Sequence, residues 1–412
     1  MTYQTIRGFR DILPPQSDAF SFIEKISREI FTLYGYREIR IPAVEYFELF
    51  IKSTGETTDI VQKEMYRFKD ASGRDLALRP EGTPGVARAY INNNLSQTGL
   101  NGKYFYIADM FRAERPQAGR YRQFEQIGAE NIGASSPYSD AESAAMLAEI
   151  FKRLGAENLR LEINSLGCPS CRPKYREKLI SYLSSQKDLC SSCLQRLEKN
   201  PLRVLDCKID GPKLTDFPSI ELCGDCAVHH EKFKKCLSLS KVDFFENPKL
   251  VRGLDYYQRT VFELKTSSLG AQDAVAGGGR YDGLIKDMGG PASPAVGWAL
   301  GADRAAMIIE KRWGEFEKKS NVFLVSADKE RGDYCFSLAQ FLRSENISCD
   351  FSDFSLSFKS QMRSADKSGA LFAAIAGEDE EKNGEVSLKN LFSKEQKKVK
   401  KEELTEIIKR SL

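Results

Sequence analysis

The chain has 412 residues, enough for two or three domains rather than one. Hydrophobic residues make up 41% and charged residues 29%, a globular balance with ample material for a core. The 61 Lys+Arg and 58 Asp+Glu leave a net charge of only +3, which excludes a uniformly basic nucleic-acid coat but not a local basic surface.

A helix is predicted over about Ser17–Tyr34. Phe22, Ile23, Ile26, Ile30 and Leu33 recur at helical spacing, Ser17 or Asp18 can cap it, and Gly35 can end it. A short strand, Tyr36–Ile41, follows and stops at Pro42. LALRPEGTPG (Leu76–Gly85) holds two prolines and two glycines and reads as a shaped loop. Residues 103–133 read as a long hairpin: KYFYIADMF and RQFEQIGAENIG are strand-like, and PQAGR carries the turn chemistry. A second helix is predicted over about Tyr138–Leu154. From about Asn164 to Lys241 the character changes to a net basic, cysteine-rich stretch that reads as an inserted module. Strand-like, glycine-rich material returns in LVRGLDYYQRTVFEL, AVAGGGRYDGL and AVGWALGADRAAMII.

After a polar break near Lys311–Ser320, the segments NVFLVSA, ISCDF, LFAAIAG and EVSLKNLF read as strands of a small α/β unit. A last helix follows over about Glu402–Leu412. Lys389–Lys401 has six lysines and one glutamate, and its default reading is a solvated edge.

FRAERPQAGRYRQFEQIGAE sets Arg112, Arg115, Arg120 and Arg122 close together, with Glu114 and Glu125 among them and Phe124 offering a stacking face. Planar, permanently charged, bidentate arginine suits a polyphosphate or phosphodiester. The bland alternative is a solvated hairpin, since exposed charge clusters are common. RGLDYYQR adds Arg252 and Arg259 around Asp255, Tyr256 and Tyr257, and Gly277–Gly279 precede Arg280 and Tyr281. Those glycines would let backbone approach a ligand closely, or would make a flexible loop. No P-loop and no GxGxxG after a strand is present, so arginines would have to hold any ATP.

With these segments in view, the chain resembles the class II aminoacyl-tRNA synthetases, and within them the histidyl-tRNA synthetase family, over essentially its whole length. The helix–strand–proline unit ending at Pro42 resembles the first class motif, a dimer-interface element. FRAERPQAGRYRQF resembles the second and GWALGADRAAM the third. LVRGLDYYQRTVFE and AGGGRYDGL resemble two segments peculiar to the histidine enzymes. The resemblance implies an α+β fold: an antiparallel sheet flanked by helices (1–163 and 246–320), the inserted helical, cysteine-rich module (164–245) and a C-terminal α/β anticodon-binding domain (321–412). That last unit does not announce itself by charge, with 15 Lys+Arg against 16 Asp+Glu.

The implied activity is that of a histidine–tRNA ligase with ATP as substrate and Mg²⁺. Arg112 and Arg252 would contact the α-phosphate as the catalytic arginines. Glu114 and Phe124 would hold adenine, and Arg304 would stack on its other face. Glu81 and Thr83 would meet the histidine α-amino group. Gln126, Glu130, Tyr257 and Tyr281, with Arg252 and Tyr256, would complete the histidine site. Arg115, Gln117 and Arg120 would reach the acceptor end of tRNA(His). A homodimer is implied. The chemistry needs no side-chain nucleophile, which suits a chain with only His229 and His230. The competing function is a synthetase-like regulatory subunit of ATP phosphoribosyltransferase, but such a relative would lose the acceptor-contacting loop and the C-terminal unit, and this chain keeps both.

Eight of the ten cysteines fall between Cys168 and Cys236. The N-terminal MTYQTIRGFRDILPP has no apolar run of the kind a signal peptide needs, and the longest apolar stretches are too short for a bilayer. A cytoplasmic protein with no membrane partner is expected, where clustered cysteines mean metal or redox chemistry before disulfides. Cys168, Cys171, Cys190 and Cys193 have the spacing of a structural zinc site, with Cys223, Cys226 and Cys207 competing for the same role. The other reading is a set of reduced cysteines without metal.

Overall fold

The computed structural model describes residues 3–55, 58–98, 102–117, 119–269 and 273–411. They form two compact units, Met1–Phe316 and Glu317–Leu412.

The first helix runs over Gln16–Leu33 and buries Ala19, Phe20, Ile23, Ile30 and Phe31. It starts earlier than expected, behind Pro15, and no side chain caps it; Asp18 sits in its first turn, where a carboxylate meets the positive helix end. Gly35, at φ +74°, closes it as expected. Of the predicted strand after it, only Arg37–Glu38 pairs, in parallel with Tyr104 and Phe105. The proline-rich Leu76–Gly85 stretch is split instead of forming a loop. Its start belongs to strand Asp75–Leu78 and its end opens helix Thr83–Asn92, with Pro84 in the first turn, where its missing N–H costs nothing.

The main sheet has eight strands. From edge to edge they are Arg37–Glu38, Gly102–Phe111, Gln123–Ile132, Ala295–Gly301, Ala274–Arg280, Gln258–Thr266, Leu159–Ser165 and Phe244–Glu246. Pairing is antiparallel except at the two edge strands, which pair in parallel, so the sheet is mixed. Alternation along each strand sends side chains to opposite faces. Phe105, Ile127, Ala129 and Trp298 face one core, packed under helices Gln16–Leu33, Pro137–Arg153 and Ala302–Ile308. There Phe31 stacks on Phe105 with ring centres 4.3 Å apart. Tyr104, Tyr106, Tyr257 and Tyr281 face the other core with Val86 and Tyr90 of helix Thr83–Asn92. This second face carries the site.

Gly277–Gly279 lie in strand Ala274–Arg280, buried mid-sheet, and not in a flexible loop. Leu159–Ser165 pairs with Gln258–Thr266, Ser165 opposite Thr260, and the cysteine-rich segment leaves and returns between them. That segment is helical, with Arg172–Ser184, Ser191–Lys199, Leu202–Leu205 and Gly224–Leu239. Tyr175, Leu179, Leu183, Val204 and Leu205 form its own small core. Helix Gly224–Leu239 instead buries Phe233 and Leu237 in the main core. It is pinned there by His229, whose Nε2 lies 2.7 Å from Asp140 Oδ2. The Arg280 guanidinium, fully buried, grips the same carboxylate and also donates to Asp282 Oδ1 at 2.8 Å. Burial pushes the Asp140 carboxyl up, but His229 and Arg280 outweigh it and hold it below the usual carboxylate range.

The second unit is a five-stranded sheet in the order Cys349–Phe351, Val322–Ser326, Phe372–Ala376, Glu385–Asn390, Gln396–Lys400. The first three strands are parallel and the last two antiparallel. Helices Gly332–Ser344 and Lys401–Ser411 pack on it through Leu338, Leu342, Leu404 and Ile408. The lysine-rich stretch supplies the edge strand, where lysines oppose pairing with other chains. Among the described residues no helix is long and apolar enough to cross a membrane.

Candidate active site

A large open cavity lies on the tyrosine-bearing face of the main sheet. Strand Ala274–Arg280 and strand Ala295–Gly301 contribute its floor, and Arg112, Arg252 and Arg304 line it together with Glu81, Gln126 and Tyr257. Glycine leaves room for two site residues: a Cβ on Gly277, in the floor, would meet the Arg252 guanidinium, and one on Gly297, behind the lining, would meet the Glu130 carboxylate and the Ala129 carbonyl.

One end of the cavity is a buried polar network. Glu81 accepts from Thr54 Oγ1 and from Tyr256 OH, both at 3.0 Å. Its carboxyl is raised by burial, against the pull of Arg112. Gln126 Oε1 accepts from Tyr106 OH at 3.0 Å and from the Gly82 amide at 3.2 Å. Thr83 Oγ1 donates to Glu130 at 2.6 Å, and Tyr281 OH donates to its other oxygen. Glu130 and Tyr281 are each 1% exposed and stand behind the lining, reaching the cavity through Thr83.

Burial raises the Glu130 carboxyl to about 8, so at neutral pH it keeps its proton and donates it to one of these two hydroxyl oxygens. The folded protein then binds a proton that the unfolded chain has already released. Between about 4.5 and about 8, stability therefore falls as pH rises. Glu130→Gln keeps the shape and removes the titration, so in urea unfolding the variant gains on the parent by up to about 1.4 kcal/mol per pH unit. Parallel pH profiles for the two proteins would contradict this assignment.

The other end of the cavity is basic. Arg112 Nε donates to the Pro80 carbonyl at 2.9 Å, and its guanidinium carbon lies 5.2 Å from the Phe124 ring centre. Arg304 donates to the carbonyls of Gly119 and Ala274. Arg252 pairs with Glu263, and its buried Nε has no hydrogen-bond partner among the described residues. Arg120 NH1 donates to Glu114 Oε2 at 3.2 Å. Fixed guanidinium groups beside a polar pocket suit an anionic ligand joined to a small polar one.

The family profile described as histidyl-tRNA synthetase matches residues 8–171 and 222–305, and that described as an anticodon binding domain matches residues 321–411. The chain belongs to the histidyl-tRNA synthetase family. It is 51% identical to the histidine–tRNA ligase of Elusimicrobium minutum over 397 residues, 96% of each chain. It is 46% identical to that of Aquifex aeolicus, over 98% of this chain and all of the relative. Among solved structures, apo histidyl-tRNA synthetase of S. aureus superposes with a TM-score of 0.82 at 34% identity, covering 99% of this chain and all of that one. Full-length similarity to ligases, the C-terminal unit included, favours the aminoacyl-tRNA synthetase over a regulatory subunit.

In this synthetase, Arg115 and Gln117 are exposed and do not line the cavity, whereas Arg120 does. The spacing-based cysteine quartet needs correction. Cys190 and Cys193 do not join Cys168 and Cys171. Instead Cys168 and Cys171 meet Cys223 and Cys226, while Cys190 and Cys193 meet Cys207 and Asp210. Spacing cannot see that helix Gly224–Leu239 begins beside the first pair, where the Cys223 amide donates to Cys171 Sγ at 3.3 Å.

Sequence reasoning missed Tyr106, Thr54 and Glu263. Tyr106 alternates with Phe105 in a strand and could have been assigned to the site face. Glu263 has the same alternation in TVFEL. Thr54 gave no signal, because it meets Glu81 only through the fold.

Proposed function

We propose that this cavity activates L-histidine with ATP and then loads it onto the 3′ end of tRNA(His). The histidine carboxylate attacks the α-phosphorus in line, the bond to the bridging oxygen breaks, and pyrophosphate leaves. A ribose hydroxyl of the tRNA terminus then attacks the carbonyl of histidyl-adenylate, releasing AMP. Arg112 and Arg252 stabilise the charge at the α-phosphate, which otherwise repels the incoming carboxylate. Glu114, Phe124 and Arg304 hold adenine. Glu81, still linked to Thr54 and Tyr256, takes the α-amino group with Thr83. Gln126, Tyr257 and Tyr256 face the imidazole, with Glu130 and Tyr281 fixing Thr83 from behind. Mg²⁺ bound with ATP would supply charge neutralisation at the outer phosphates, and Glu263 on the cavity wall is a hard oxygen donor of the type that would hold it.

The reading rests most on one observation: three arginines and a buried polar network share one cavity. Its test is ATP–pyrophosphate exchange with each of the twenty amino acids. Exchange is expected with histidine alone, because a site built to hydrogen-bond its substrate rejects others by roughly 10⁴-fold without editing. Exchange with another amino acid, or with none, would sink it.

The loop carrying Arg115, Gln117 and Arg120 is assigned to the tRNA acceptor end, and residues 164–245 to an inserted module. A cytoplasmic homodimer completes the proposal. The dimer is supported by Leu33, exposed at 68% in the first-motif unit, and by Val44 and Tyr46, exposed at 40% and 57% in the strand that follows it. Cys168, Cys171, Cys223 and Cys226 are assigned a structural Zn²⁺, since four soft ligands with ligand atoms within 4.8 Å of one another suit a tetrahedral ion.

A further inference from the structure

We infer that Cys190, Cys193, Cys207 and Asp210 form a second metal site, for zinc or another thiophilic divalent ion, and that this ion anchors one wall of the catalytic cavity. The three thiol sulfurs and a carboxylate oxygen all lie within 4.8 Å of one another. Cys190 Sγ and Cys207 Sγ are 3.8 Å apart. Cys207-x2-Asp210 is built like one half of a zinc knuckle, with the Asp210 amide donating to Cys207 Sγ at 3.5 Å. Asp210 is 2% exposed, yet its Oδ1 has no hydrogen-bond partner among the described residues. The nearest cation to that oxygen is Lys213 Nζ, at 3.9 Å. Its Oδ2 is oriented by the Cys190 amide at 3.0 Å. A buried carboxylate oxygen without a hydrogen-bond donor, set among three thiols, is a donor set that suits a cation. Three soft ligands and one oxygen suit zinc, which on binding would displace the three thiol protons to solvent.

The position of the cluster connects it to catalysis. Cys190, Cys207 and Asp206 themselves line the cavity. Four residues before Cys207, Arg203 donates to the Gly253 carbonyl at 3.0 Å and so fixes the backbone next to Arg252. The ion would thus be a positioning device, holding segment 203–210 against the loop that presents Arg252.

The test is zinc content by mass spectrometry of purified full-length protein, with ATP kinetics in pyrophosphate exchange. About two zinc ions per chain are expected, falling to about one in Cys190→Ser and likewise in Cys223→Ser. A loss in Cys190→Ser alone upholds this site and rejects the four-thiol one. Zinc content in Cys190→Ser equal to the parent's, whatever that is, overturns the proposal. Asp210→Ala retains every thiol, and chelator competition should show zinc held at least about tenfold more weakly; unchanged competition also overturns it. Cys190→Ser should raise the ATP KM about three- to tenfold with a smaller change in kcat. Metal loss with KM unchanged would reject the anchoring role.

Discussion

Arg252→Ala leaves the protein folded and lowers histidine-dependent ATP–pyrophosphate exchange by about 10³-fold. The side chain stands over Gly277, where no Cβ intrudes, and it keeps a buried Nε without a hydrogen-bond partner among the described residues. Arg252 lines the cavity, where its guanidinium can meet a phosphate. Its removal does not strand Glu263, because Lys265 Nζ lies 3.5 Å from the same carboxylate. Stability should therefore change little while chemistry is lost. Arg252→Lys should rescue only a small part, since an ammonium cannot reproduce the planar, bidentate fork. Unimpaired exchange in Arg252→Ala would refute the arginine mechanism.

Asp140→Ala should have the largest effect on stability, a loss of about 3–5 kcal/mol. The carboxylate is fully buried and is shared by Arg280 and His229. Without it, a fully buried guanidinium retains Asp282 and the Ala134 carbonyl, the latter at 2.7 Å, but loses its main counter-charge. Three elements come loose together: helix Pro137–Arg153, helix Gly224–Leu239 and the end of strand Ala274–Arg280. Urea unfolding measures it, and a loss below about 1 kcal/mol would show that the network contributes little.

Much of the fold was legible because apolar spacing recorded it. The Gln16–Leu33 and Pro137–Arg153 helices and the long hairpin lie close to where periodicity predicts them. Punctuation misled where prolines and glycines serve regular structure. Pro84 starts a helix, and Gly277–Gly279 form a strand, because their smallness is needed by Arg252 and Trp298 and not by a turn. Residues with evident chemistry such as Arg112 and Glu81 stand out in the sequence and line the cavity. Their supports, Thr54 and Tyr106, do not stand out, since a hydrogen bond between residues far apart in sequence leaves no local trace. The cysteine pairing failed for the same reason: spacing describes one knuckle, and only the fold says which other half faces it.

The parallel pairing of Leu159–Ser165 with Phe244–Glu246 makes the whole cysteine-bearing stretch between them, for the sheet, a single connection between neighbouring strands. Loop-closure entropy rises only as the logarithm of length, so expanding a short connection to that size costs roughly 3 kcal/mol. A segment with a core of its own recovers part of this, because folding it brings its ends together before the strands meet. Ions bound within it would tighten that closure further. The synthetase can thus carry a long helical connection beside its reactive centre without loosening the sheet that bears it.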